Sequence, residues 1–131
     1  FKRPLKYIGF GGKGKQVRDL LHVDDLFNLM DIEASRLSKI NGRVYNVGGG
    51  REVSLSLYET TKLCQQITGN KIKIGRELNT RPGDISIYLS DNSKVREEFG
   101  WQPKKTAKTV LSDIYSWINT NRGCRKNRSV P

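Results

Sequence analysis

The chain has 131 residues, of which 24 are lysine or arginine and 13 are aspartate or glutamate, and its formal net charge is +11. This length provides one hydrophobic core and too little chain for a cofactor domain together with a substrate domain, so a complete two-domain enzyme is not expected. The excess positive charge favours an anionic partner, and nucleic acid, phosphorylated metabolites and membrane surfaces all qualify.

The sequence contains no apolar stretch of about 20 residues and does not open on a signal peptide. Its two cysteines, Cys64 and Cys124, are too few for a disulfide framework and have no neighbours at metal-ligand spacing. We therefore expect a cytoplasmic protein without a membrane partner and without a metal site.

The first half of the chain predicts strands alternating with one helix. Leu5 to Ile8 and Val17 to Leu21 are short strands, separated by a glycine cluster at residues 9–14. His22 then opens a helix with two carboxylates in its first turn, where the helix dipole favours negative charge. Residues 43–47 predict the next strand. Apolar residues repeat along the helix at the spacing of one face, namely Val23, Leu26, Phe27, Met30, Ala34 and Leu37.

The second half predicts three helices and two strands. Ser56 and Glu59 form a capping box for a helix that ends at Gly69. Strands are predicted at 71–74 and 85–89, joined by a loop at 76–84. Asp91 caps a short helix that runs to Phe99, and Thr106 caps the last one. Residues 121–131 are expected to be a disordered basic tail, which leaves 1–120 as one α/β or α+β domain with a small mixed sheet.

The glycine cluster from Gly9 to Gln16 matches three ligand-binding patterns incompletely. A dinucleotide fingerprint needs a helix directly after it, and here a strand is predicted. In the phosphate-loop pattern, Gln16 replaces the metal-binding hydroxyl. In a KH module the loop lies between two helices, and too few residues precede it here. A plain loop between strands is favoured, and a KH-like single-stranded nucleic-acid-binding module remains the alternative function.

Three further residues suggest catalysis, and each has a simpler interpretation. Tyr58 and Lys62 match the Y-x-x-x-K pair of short-chain dehydrogenases, but any helix places residues at this spacing on one face. We expect them to be a solvent-facing pair. His22, the only histidine, is expected to cap its helix. No catalytic residue is predicted in this chain.

Two arginines occur in more specific settings. Arg18 follows the glycine cluster in Gln-Val-Arg-Asp, and Arg81 opens the tight turn Arg-Pro-Gly-Asp that ends at Asp84. Guanidinium groups suit diphosphate oxygens, and a carboxylate accepts hydrogen bonds from ribose hydroxyls. From spacing alone, ordinary surface salt bridges explain these residues equally well.

Together, these segments resemble the C-terminal part of the extended short-chain dehydrogenases/reductases, in the NAD-dependent epimerase/dehydratase family of nucleotide sugars. Within that family, GKQVRD and YNVGGG are most similar to the branch of CDP-paratose (CDP-tyvelose) 2-epimerases. The segments that carry the resemblance are YIGFG, GKQVRD with HVDDL, VYNVGGG, RPGD, SDNSK and GWQP.

The resemblance implies a role for each matched residue. Arg18 and Arg81 would hold the diphosphate, and Asp84 would bind the ribose. The backbone from Tyr7 to Gly9 would lie against the base, with Gln16 at the same loop. The ligand would be a CDP- or UDP-linked nucleotide sugar.

The resemblance also implies what lies elsewhere in such an enzyme. NAD and the catalytic Ser/Thr, Tyr and Lys belong to an N-terminal Rossmann domain, so this chain alone is expected to hold no cofactor and to be inactive. The implied reaction of a 2-epimerase is oxidation of the sugar at C2 and hydride return to the opposite face. The Rossmann domain and a second copy of the chain are the implied partners, and nucleic acid is not expected.

Overall fold

A computed structural model describes residues 4–121, in which five helices surround two small β-sheets. The predicted tail at 121–131 lies outside the described residues, apart from Asn121 at the end of the last helix. The strands are β1 (Lys6–Ile8), β2 (Val17–Asp19), β3 (Ser54–Ser56), β4 (Gly75–Glu77) and β5 (Ile87–Tyr88). The helices are α1 (Val23–Ala34), α2 (Leu37–Ile40), α3 (Leu57–Thr68), α4 (Ser93–Phe99) and α5 (Ala107–Thr120), with a 3₁₀ turn at Phe10–Gly12.

The strands pair in two separate sheets. In the first sheet β1 runs parallel to β4, with Tyr7 opposite Arg76. In the second, β2 lies between β3 and β5, antiparallel to the former and parallel to the latter. This confirms the predicted α/β class with a mixed sheet, although the strands divide between two sheets.

Three of the four predicted N-terminal caps are confirmed, whereas the N-cap of α4 is Asn92 rather than Asp91 and makes no side-chain capping hydrogen bond. The Ser56 hydroxyl accepts from the Glu59 amide, the Glu59 carboxylate accepts from the Ser56 amide, and α3 ends at Gly69 in the left-handed conformation. His22 and Thr106 cap α1 and α5 through their side chains. Caps depend on contacts within one turn of the helix, which is why the sequence predicts them well.

Two predicted strands need correction, and one observed strand is additional. Residues 71–74 are not a strand, because pairing begins at Gly75, whose amide donates to the Leu5 carbonyl at 2.9 Å. The strand β3 was not predicted, since Ser54–Ser56 has no alternating apolar pattern to announce it. Residues 43–47 pair with no strand among the described residues.

The core lies on an unexpected side of α1. Leu29 is 1% exposed and packs with Val95 and Trp101, whereas Phe27, on the regular apolar stripe, is 69% exposed. Asp25 is also on the buried side, because its Oδ2 accepts from the Lys105 amide at 3.0 Å. Leu37 belongs to α2, since α1 ends at Ala34. None of the described helices is long and apolar enough to span a membrane.

This arrangement predicts opposite outcomes for two substitutions on one helix. Leu29→Ala should lower the free energy of unfolding by about 2–5 kcal/mol, because it leaves a cavity in the core. Phe27→Ala should change it by less than about 0.5 kcal/mol, since the ring contacts mainly solvent. Urea unfolding of both variants measures this, and equal losses would contradict the assigned faces.

Candidate functional site

Arg18 and Asp84 meet although 66 positions separate them in the sequence. Strand β2 presents Arg18, whose Nη2 donates to Oδ1 of Asp84 at 3.2 Å and whose Nη1 donates to the Val17 carbonyl at 2.7 Å. The two side chains are 41% and 25% exposed. Both residues are candidates from the sequence, and the fold brings them together at a partly exposed surface.

A tight turn carries Asp84 and positions Arg81. The Asp84 amide donates to the Arg81 carbonyl at 3.1 Å, with Pro82 and Gly83 between them. Gly83 has φ of 76°, as the third residue of a type II turn requires. Arg81 is exposed, and its guanidinium forms no ion pair within residues 4–121. The turn therefore presents the Arg81 guanidinium at one end and the Asp84 carboxylate at the other, and the carboxylate is paired with Arg18.

The glycine loop joins β1 to β2 and packs beside this turn. The Gly9 amide donates to the Glu77 carbonyl at 2.8 Å, and the Phe10 amide donates to the Thr80 hydroxyl at 3.1 Å. The loop joins two strands, so it lacks the helix N-terminus of a dinucleotide fingerprint and does not connect two helices as the loop of a KH module does. The expected plain loop between strands is confirmed.

The two other predicted site residues differ in environment from the arginines. Gln16 is 4% exposed and its Nε2 donates to the Ile8 carbonyl. Its buried Oε1 has no hydrogen-bond partner among residues 4–121. The Tyr7 ring lies close to Gly14 and borders an apolar groove of about 410 Å³ between β1 and α3. No hydrogen bond or ion pair among the described residues joins either side chain to Arg18 or Asp84. Gln16 holds the loop in place.

Asp19 is a structural residue of this region that the sequence did not reveal. Its Oδ2 accepts from the amides of Gly50 at 2.9 Å and Ser90 at 3.1 Å, which ties β2 to two loops. Burial opposes ionisation of Asp19, but these hydrogen bonds outweigh it and hold the pKa of its carboxyl below the ordinary value. The carboxylate next to Arg18 therefore fixes the strand that presents the arginine.

The depressed pKa predicts a specific pH dependence. The stabilisation by Asp19 is present above the unfolded pKa of about 4 and is lost as pH falls from there through the lower folded pKa. Asp19→Asn should reduce the free energy of unfolding at pH 7 and shrink its difference between pH 7 and pH 3. Urea unfolding at both pH values measures this, with Asp31→Asn on the exposed side of α1 as control. An unchanged pH profile would show that Asp19 has no such role.

The residues that suggested catalysis have structural roles. The Lys62 ammonium lies 4.6 Å from the centre of the Tyr58 ring, and Tyr58 is about half exposed, which confirms a solvent-facing pair. His22 accepts from the Asp24 amide at 3.0 Å through Nδ1, as a helix cap does. No group of three or more histidine, cysteine, aspartate or glutamate side chains able to hold a metal was found in the part of the chain that the structure describes.

Solved structures share this fold. UDP-glucose 4-epimerase from Bifidobacterium longum, crystallised with NAD⁺ and UDP, superimposes with a TM-score of 0.73 at 28% identity, covering 90% of this chain and 34% of that one. UDP-glucose 4-epimerase from Thermotoga maritima, crystallised with UDP-glucose, has a TM-score of 0.71 at 27% identity, covering 88% and 35%. The fold is thus that of part of an extended short-chain dehydrogenase/reductase.

Sequence comparison identifies the family. The GDP-mannose 4,6-dehydratase family model matches residues 3–114, and the chain belongs to that family of nucleotide-sugar epimerases and dehydratases. CDP-paratose 2-epimerase from Salmonella typhi is 34% identical over 115 residues, which are 88% of this chain and 34% of the relative. UDP-glucose 4-epimerase from Bacillus subtilis is 30% identical over 110 residues, 82% of this chain and 31% of the relative. The chain spans about a third of the length of these relatives.

Proposed function

We propose that this chain is the substrate-binding portion of an NAD-dependent nucleotide-sugar epimerase, and that it holds the nucleoside diphosphate of the substrate. The observation that supports this best is the contact of Arg18 with Asp84, in the turn that begins at Arg81. Two guanidinium groups and one carboxylate at a solvent-accessible surface match the groups of a nucleoside diphosphate.

Each side chain has a distinct part in binding. The diphosphate is anionic, and Arg18 keeps one nitrogen on the Val17 carbonyl, so its remaining donors have a fixed direction. Arg81 has no ion pair to break within the described residues and supplies the second positive charge. Asp84 offers carboxylate oxygens to the ribose hydroxyls while it keeps Arg18 oriented. The ligand thus meets a site in which one arginine is already positioned.

Tyr7 and Gln16 act indirectly in this proposal. The backbone from Tyr7 to Gly9, at the end of β1, forms one wall for the base, and buried Gln16 fixes that wall by donating to the Ile8 carbonyl. Because its side chain is enclosed, Gln16 is a positioning residue for the glycine loop. We place no ligand contact on its side chain.

NAD would be bound outside these residues. The glycine loop that resembles a dinucleotide fingerprint runs into β2, so its geometry does not fit the pyrophosphate of NAD. The described residues therefore bind and orient the nucleotide end of the substrate. The Bifidobacterium longum epimerase, of which this chain covers 34%, was crystallised with NAD⁺ and UDP, which supports NAD as the cofactor of the whole enzyme. We place that enzyme in the cytoplasm.

We propose that the base of the substrate is cytosine and that the reaction is an epimerisation at C2 of the sugar. The similarity to CDP-paratose 2-epimerase supports a CDP-linked sugar epimerised at C2. Calorimetric titration of the whole protein with CDP, UDP and GDP tests this. We expect CDP to bind at least about tenfold more tightly than the others, a difference of ~1.4 kcal/mol. Preference for UDP would retain the diphosphate site and refute the CDP assignment, and no binding of any of the three would refute both.

A further inference from the structure

The link between α2 and residues 43–47 contains the dipeptide Asn41–Gly42, and both residues are exposed. Asn41 is the only asparagine in the sequence that glycine follows. Gly42 has φ of 79°, and no atom lies within 4 Å of the position that a Cβ would take. Within residues 4–121, neither the Asn41 side chain nor the Gly42 amide forms a hydrogen bond. A side-chain amide and the next backbone nitrogen are therefore adjacent and unobstructed.

This pairing has a defined chemistry. Asparagine is thermally labile because the following backbone nitrogen can attack its side-chain carbonyl carbon, and glycine is the one residue with no side chain in the path of that attack. Closing the ring requires rotation about the Cα–C bond of Asn41, whose ψ is 127°. An exposed hydrogen bond opposes the rotation, from the Arg43 amide to the Ile40 carbonyl at 2.9 Å.

The charges around Gly42 favour the attacking species, which is a deprotonated backbone nitrogen. Arg43 pairs with the Glu98 carboxylate at 2.9 Å, and Arg36 donates to the Glu98 main-chain carbonyl at 3.3 Å. The Lys94 ammonium donates to the carbonyl of residue 44 at 2.8 Å. Three cations thus surround one carboxylate here, and the resulting positive potential stabilises an anion nearby.

We propose that Asn41 is a site of spontaneous deamidation, at which its side-chain amide is replaced by a carboxylate. The Gly42 nitrogen bonds to Cγ of Asn41, the bond from Cγ to Nδ2 breaks, and the proton lost from Gly42 is balanced by the one gained by the departing ammonia. Water then opens the cyclic imide. Opening at Cγ gives aspartate, and opening at the backbone carbonyl gives isoaspartate, in which the main chain runs through the former side chain.

Isoaspartate at this position loosens the segment that follows. The product has one more carbon in its main chain, directly before a segment whose side chains Tyr45 and Val47 pack against the core cluster. The same segment is held by the Tyr45 hydroxyl, which donates to Glu98 at 2.5 Å. A longer link displaces these contacts, so the modified protein is less stable than the fresh one.

The test ages the whole protein that contains this sequence at about pH 9 and 37 °C, where the backbone nitrogen ionises more readily than at pH 7. Trypsin then isolates residues 40–43 for mass spectrometry, and enzymatic methylation quantifies isoaspartate. Asn41 should lose its amide at least about tenfold faster than Asn70 and Asn79, which are exposed loop asparagines followed by lysine and threonine. Loss at Asn41 no faster than at these two, or aspartate without isoaspartate, would overturn the proposal.

Two variants separate the chemistry from its consequence. Gly42→Ala puts a methyl group beside the attacking nitrogen and should slow the loss at Asn41 by about tenfold or more, and an unchanged rate would overturn the proposal. The aged wild type should unfold at a midpoint lower by about 2 °C or more, whereas fresh Asn41→Asp, which has the new charge without the extra carbon, should stay within about 1 °C. Equal midpoints for aged and fresh wild type would overturn the proposed loosening.

Discussion

Arg81→Ala is expected to weaken binding of a nucleoside diphosphate by about thirtyfold, or ~2 kcal/mol, without unfolding the protein. Arg81 is exposed and has no structural ion pair among residues 4–121, so its removal takes away a ligand contact and little else. Calorimetric titration of CDP into the wild type and the variant measures the change in affinity, and heat unfolding verifies that the fold persists.

The control for this experiment is Arg96→Ala. Arg96 lies on α4 and is exposed, and its replacement by alanine removes the same charge from the chain. If affinity depended only on the net charge of +11, both variants would lose the same amount. Unchanged affinity in Arg81→Ala, or equal losses in both, would show that the Arg-Pro-Gly-Asp turn does not hold the diphosphate.

Gly49→Ala is expected to have the largest effect on folding, with a loss of more than about 4 kcal/mol or failure to fold. A Cβ at Gly49 would overlap the carbonyl oxygen of Leu20, whose amide is itself bonded to the Val53 carbonyl at 2.8 Å. Because the obstacle is backbone that the Leu20–Val53 hydrogen bond holds in place, it cannot move aside as a flexible side chain would. Urea unfolding, or the yield of soluble protein, measures the loss.

Comparison of Gly49→Ala with Gly42→Ala distinguishes the energetic cost of steric overlap from that of backbone strain. Gly42 has φ of 79° but no atom within 4 Å of a built Cβ, so alanine there should cost only about 1 kcal/mol. A loss at Gly49 no larger than that at Gly42 would mean that the loop relaxes freely. Gly48 provides a second case, since its Cβ would meet both Ser90 and Asp19.

Features that depend on nearby residues were predictable from the sequence. The capping box at Ser56 and Glu59 and the caps at His22 and Thr106 were predicted correctly, because each involves one turn of helix. The Arg-Pro-Gly-Asp turn was also identifiable, since Pro82 and Gly83 together select its geometry.

Features that depend on distant partners were not predictable in the same way. The apolar stripe of α1 was visible, but whether Phe27 or Leu29 faces the core depends on Trp101 and Val95, far along the chain. Residues 43–47 have the alternating pattern of a strand. Whether they pair depends on a second strand elsewhere in the protein, which their own sequence does not specify. Pairing with β1 sets the start of β4 at Gly75. The strand therefore begins after the alternating segment 71–74, where the sequence predicts it.

The candidate site shows the same division. Arg18 and Asp84 could each be nominated from local context, but their contact depends on β5 aligning with β2. The role of Asp19 is not predictable from local sequence, because its carboxylate accepts hydrogen bonds from Gly50 and Ser90 in two separate loops. Gln16 was nominated by its position in the glycine loop, and only the fold shows that its side chain is enclosed.

The most direct test of the diphosphate site is a crystal structure of the protein grown with CDP. We predict that the diphosphate lies between the guanidinium groups of Arg18 and Arg81, with a ribose hydroxyl donating to Asp84. A diphosphate bound elsewhere on the protein, with Arg18 keeping only its contacts with Asp84 and the Val17 carbonyl, would contradict this assignment.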